Sequence, residues 1–137
     1  MRVALIALGL VSLAGCPRTS EGVCDEDVEC DDGLVCARGD HLCVEQRQVH
    51  ATRTEWTING QPPDAGNCNG LTLYIQFLSD FDGDDFGFSP VPCETGLFSI
   101  DKLPVRYRRV EVGVQGGSEN DRATFDGEGN ALLDLIL

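Results

Sequence analysis

Apolar and polar positions alternate with a period of two through most of the second half of the chain. In HATRTEWTI, residues 50–58, His50, Thr52, Thr54, Trp56 and Ile58 share one face. In LTLYIQFL, residues 71–78, Leu71, Leu73, Ile75 and Phe77 alternate against Thr72, Tyr74 and Gln76. GLFSI, residues 96–100, reads as a short third strand. VRYRRVEVGVQ, residues 105–115, sets Val110, Val112 and Val114 on one face, with Val105 and Tyr107 in the opposite phase. That break predicts a bulge near Arg108 or Arg109. RATFD and ALLDLIL flank GEGN and read as a closing hairpin. NGQPPDAGN, SDFDGDDFG, KLP and QGGSEN supply the turns between runs. Strands this short and evenly punctuated predict an antiparallel β-sandwich over residues 49–137. Trp56 is expected in its core and Tyr74 on its solvent face; the rival reading joins the two rings in a carbohydrate-binding platform.

The start of the chain follows another pattern. Met1 and Arg2 precede VALIALGLVSLA, an uncharged run too short to cross a hydrocarbon core of roughly 30 Å comfortably. A basic start, an apolar stretch and small residues at its end are the layout of a secretory signal. LAGC (Leu13, Ala14, Gly15, Cys16) resembles the lipobox of bacterial lipoproteins. The resemblance implies a signal helix over residues 1–15 removed before Cys16, whose sulfur takes a diacylglycerol. Residues 16–23 are then a lipidated linker. Two or more acyl chains hold a protein stably on a membrane, which one does not. Pro17 follows the cysteine where an aspartate would resemble an inner-membrane retention signal, so the outer membrane is favoured over the inner.

With Cys16 assigned to lipid, six cysteines remain: Cys24, Cys30, Cys36, Cys43, Cys68 and Cys93. An even number in an exported chain reads as three disulfides. The first four lie in CDEDVECDDGLVCARGDHLC, spaced C-x5-C-x5-C-x6-C, with too few apolar residues to fold without staples. This module, residues 24–45, resembles the N-terminal cysteine-rich region of Dickkopf-type proteins. The animal family's receptor antagonism is not carried over. Four cysteines allow three connectivities, and the interlocked one, Cys24–Cys36 with Cys30–Cys43, is favoured. Zinc is the rival use of these thiols, but no C-x2-C pair is present. Cys68 and Cys93 form the natural third bridge, closing a loop worth about 3.5 kcal/mol by the chain-entropy argument.

The run Trp56, Ile58, Gly60, Cys68, Cys93, Gly96, Phe98, Ile100, Leu103, Pro104 and Tyr107 is similar to small prealbumin-like or carboxypeptidase-regulatory-like sandwiches. In such families these domains are mostly non-catalytic stalks or binding modules. The usual L-P-x-G-x-Y is broken here, because no glycine stands between Pro104 and Tyr107.

Charge narrows the partners. The formal net charge is −13, and loss of Arg2 with the signal makes it one unit more negative. Nucleic acid is excluded, since its phosphates need Lys and Arg to neutralise them. Anionic lipid headgroups are disfavoured too, so membrane contact is expected through the acyl anchor alone. Asp80, Asp82 and Asp84 match positions 1, 3 and 5 of an EF-hand loop, making them candidate calcium ligands. Asp85 stands where that loop needs glycine, and Val91 where it needs a bidentate glutamate. Arg38, Gly39 and Asp40 spell a tripeptide that recurs by chance. No G-x-S-x-G, H-E-x-x-H, P-loop or dinucleotide fingerprint occurs, and His41 and His50 are the only histidines.

The sequence therefore predicts an all-β, non-enzymatic, lipid-anchored cell-envelope lipoprotein with a structural or binding role. Its partner class is an envelope protein or a glycan, and no cofactor is called for apart from calcium. The alternatives are a calcium-dependent surface adhesin or ligand-binding module, and a protease inhibitor acting through the cysteine-rich loop.

Overall fold

The computed structural model describes residues 22–81 and 83–137. The signal segment, the LAGC box with Cys16, and Asp82 lie outside the described residues. The remainder is all-β. Strands β1 (Leu34–Ala37) and β2 (Leu42–Glu45) form an antiparallel hairpin in the cysteine-rich module. Seven further strands build the sandwich: β3 (Val49–Ile58), β4 (Thr72–Ser79), β5 (Phe86–Pro92), β6 (Leu97–Pro104), β7 (Tyr107–Val114), β8 (Asn120–Thr124) and β9 (Asn130–Leu135). They divide into a three-stranded sheet ordered β6-β3-β9 and a four-stranded sheet ordered β5-β4-β7-β8.

Alternation places the core between these sheets. Thr52, Thr54, Trp56 and Ile58 turn inward from β3, and Leu73, Ile75 and Phe77 from β4. The Trp56 indole, 2% exposed, donates to the Cys93 carbonyl at 2.9 Å, so burial leaves no orphaned N–H. Phe77 stacks on Phe86 and Phe125 with centroids 5.3 and 6.2 Å apart. On β7, Tyr107 and Val110 are both buried although they differ in phase. The register explains it: Leu78 faces Arg109 and Ser79 faces Tyr107, leaving Arg108 as the extra residue of a bulge.

Four features depart from the sequence expectation. Phe86–Pro92, read as turn and loop, is the edge strand β5. Its Pro90 and Pro92 are tolerated because an edge leaves one side of the ladder unpaired. KLP is the end of β6 rather than a turn. RATFD and ALLDLIL do not form a hairpin: β8 pairs with β7, while β9 crosses to the other sheet. The crossing turns on Asp126, whose carboxylate accepts from Glu128 and Asn130 N–H at 2.9 and 2.8 Å. Finally, β9 runs parallel to β3, whereas the other strand pairs are antiparallel. An Asp-capped single helical turn, Ala65–Cys68, lies in the second half of the β3–β4 connection.

Three disulfides staple the fold: Cys24–Cys36 and Cys30–Cys43 in the module, and Cys68–Cys93 in the sandwich. The module also hydrogen-bonds to the sandwich directly. Arg38 N–H donates to the Lys102 carbonyl of β6 at 2.9 Å, partly covering that sheet edge.

Candidate binding surface

The chemistry-bearing residues singled out by sequence fall into three places. The first is the seam between module and sandwich. Asp27 accepts from Lys102 Nζ at 2.8 and 2.7 Å, and Arg38 donates to Asp101 at 3.1 Å. Asp40 takes two bonds from Arg106, at 2.6 and 2.5 Å. Arg106 lies over the Tyr107 ring, 4.5 Å from its centroid, and also binds Asp84 at 2.5 Å. The bonds from Lys102, Arg106 and Arg38 hold the Asp27, Asp84 and Asp101 carboxyls below their ordinary value. Gly39 packs under the Phe86 ring, where a Cβ would collide, and its φ of +89° suits only glycine. The Arg38-Gly39-Asp40 tripeptide is thus spent on holding two units together.

The second place is the β4–β5 loop with the candidate calcium ligands. Asp84 is taken by Arg106, and Asp80 lies 3.9 Å from the Arg109 guanidinium. Asp85 accepts the Ser79 N–H at 3.0 Å. Among the described residues, Asp80 and Asp84 join no set of three ligand atoms within 4.8 Å of one another. The only such set among the described residues is the sulfurs of Cys24, Cys30 and Cys43, all in disulfides and therefore lacking the thiolates zinc requires.

The third place is the outer face of the four-stranded sheet. Strand alternation puts Tyr74 and Gln76 of β4, Glu111 and Gly113 of β7, and Arg122 of β8 on this face. The Tyr74 hydroxyl donates to Glu111 Oε1 at 2.6 Å, and Arg122 binds the other carboxylate oxygen. Glu111 is only 5% exposed, shut beneath its two partners. Gly113 lies opposite Tyr74, and a Cβ there would strike the phenol ring, so the ring extends flat across the glycine. Burial, with Glu111 adding to it, pushes the Tyr74 hydroxyl up to about 12, which keeps it a donor at all ordinary pH. Beside Tyr74 a cleft of about 210 Å³ opens toward β5.

Trp56 and Tyr74 do not share a face: the first is core and the second lies on the outer side of the opposite sheet. The paired-ring platform is therefore absent, and Tyr74 alone remains available. A larger, shallow depression of about 610 Å³ crosses the three-stranded sheet beside Arg38, Arg53 and Asn130. Its two guanidiniums are already paired, with Asp101 and Glu55. Of the histidines, His41 lies at the surface with Nδ1 3.1 Å from an Asp25 oxygen. His50 has a buried Nε2 without a partner, and burial lowers its pKa. The chain matches no protein-family model, no curated protein and no solved structure.

Proposed function

We propose that the chain is a non-enzymatic, lipid-anchored lipoprotein of the cell envelope whose sandwich serves binding. The observation that carries this reading is the cysteine inventory. Six of the seven cysteines pair with one another, and the seventh, Cys16, closes the LAGC box. Disulfides persist in oxidising compartments, which agrees with an exported chain. The linker over residues 16–23 keeps the module close to the anchor, and the ionic seam ties the sandwich to the module. The outer membrane is preferred on Pro17.

Intact-mass measurement of the membrane-extracted protein, alkylated with and without prior reduction, tests the proposal. The expected species begins at Cys16, carries a diacylglyceryl or triacyl mass, and exposes thiols only after reduction. An unlipidated chain of the same residues in the soluble fraction overturns it.

A further inference from the structure

We infer that the outer face of the four-stranded sheet, centred on Tyr74, binds an uncharged saccharide chain. The inference deepens the binding role proposed above and does not depend on the lipid anchor. Four observations meet on this face. Tyr74 is fixed at both ends: its hydroxyl is held by Glu111 at 2.6 Å and its ring lies across Gly113. A ring held flat on a sheet needs no further ordering to stack on the C–H face of a pyranose, which lowers the entropy cost of binding. The cleft next to it is lined by Tyr74, Gln76, Asp85, Gly87, Phe88 and Ser89. Gly87, opposite Gln76, lets β5 approach β4 closely, since a Cβ there would fall on the Ile75 carbonyl.

The polar groups suit hydroxyls. Gln76 offers donors and an acceptor, Ser89 offers both, and Asp85 offers acceptor oxygens. Phe88, the partner of Ile75, turns its ring inward onto Phe98 of the other sheet, so Tyr74 is the aromatic surface of this face. Charge selects against other ligands. Glu111 and Arg122 cancel each other, which leaves Asp85 as the charged group of the cleft lining. An anionic polymer meets the repulsion of a molecule at −13, and a cationic ligand finds Glu111 closed over and Asp85 already accepting the Ser79 N–H. At about 210 Å³ the cleft is smaller than sites that enclose a drug-sized molecule, which fits one residue of an extended chain.

Titration of the disulfide-bonded protein with chitohexaose and cellohexaose, followed by amide NMR, is the test. At least one should shift the amides of Tyr74, Gln76 and residues 87–89 in the millimolar range or tighter. Tyr74→Ala and Gln76→Ala should each weaken that binding by about tenfold. Tyr74→Phe, which keeps the ring, should restore most of it. Because Tyr74→Ala also uncovers Gly113 and Glu111, its fold is checked by thermal melting; Gln76→Ala and Tyr74→Phe decide if it fails. No shift at this face with either oligosaccharide overturns the inference, as do shifts elsewhere only, or Tyr74→Ala and Gln76→Ala variants that bind like the wild type. None of these readouts changes if Cys16 proves unlipidated.

Discussion

Arg106 grips Asp40 through two hydrogen bonds, of 2.6 and 2.5 Å, although 66 positions separate them in sequence. Fork-on-carboxylate geometry is the strongest form of ion pair a protein surface offers. Here it is sheltered: the Asp40 side chain is 13% exposed and that of Arg106 is 30%. Tyr107 lies beneath the guanidinium and Asp84 closes it from the side. The cysteine-rich module is held to the sandwich at this point, at the Arg38–Asp101 pair, and at Lys102 between Asp27 and Asp101.

Removing that grip loosens the seam. Arg106→Ala is expected to lower stability by about 1–3 kcal/mol, because Asp40 loses both of these hydrogen bonds while partly buried. Hydrogen exchange should accelerate first in the loop between β1 and β2. Equal urea midpoints and unchanged exchange there would show that the Arg38 and Lys102 contacts, with Gly39 under Phe86, hold the seam without Arg106.

Acid should act on the same contacts. Asp27, Asp84 and Asp101 are each held below their ordinary value by Lys102, Arg106 and Arg38 respectively. A depressed carboxylate stabilises the fold fully above its unfolded pKa and loses that contribution as pH falls through the folded one. The melting temperature should therefore decline below about pH 4. The double variant Asp27→Asn, Asp101→Asn should begin lower and show a shallower acid limb. A limb as steep as the wild type's assigns the titration to other groups.

The sandwich disulfide can be judged separately. Cys68→Ser with Cys93→Ser should cost about 3–4 kcal/mol, from the entropy the unfolded chain regains. Trp56 reports the site directly, since its indole donates to the Cys93 carbonyl. Its emission should shift to the red at a lower urea concentration than in the wild type. An unshifted midpoint would mean the core holds Cys68 and Cys93 in place without the bond.

Glycines near the β8–β9 crossing differ sharply in what they tolerate. Gly129 has φ +84° and a Cβ there would fall on the Ala51 carbonyl, whereas Gly127 faces open space. Gly129→Ala should destabilise by about 2 kcal/mol or more and Gly127→Ala by very little, read from denaturant midpoints. Equal effects would mean that the turn rearranges around the added methyl.

What was legible in the sequence was governed by near neighbours. Two-residue alternation locates Leu73, Ile75 and Phe77, and one phase error on β7 locates the Arg108 bulge. β5 is hidden because Gly87, Pro90 and Pro92 signal turns, and an edge strand tolerates what a central one does not. The β8–β9 crossing is hidden for a different reason. GEGN flanked by strand-like runs fits a hairpin locally, and only the open edge of β3 draws β9 to the other sheet. At the binding surface, Tyr74 is recognisable as solvent-facing, but its bond to Glu111 spans 37 positions and has no local signal. The seam is likewise invisible among so many acidic residues, since nothing in the chain marks which carboxylates meet a cation.

The parallel partnership of β3 and β9 has a temporal side. β3 is the central strand of its sheet, and one of its two neighbours comes from the last residues of the chain. A chain emerging from its N-terminus can close the module and the β3–β6 pair early. It cannot finish the three-stranded sheet until Ala131, Leu133 and Leu135 have followed. Trp56 and Ile58 stand in register with Leu133 and Leu135, so their side of the core closes only with β9 in place. The core between the two sheets is thus sealed by a strand that lies far along the chain from the one it completes.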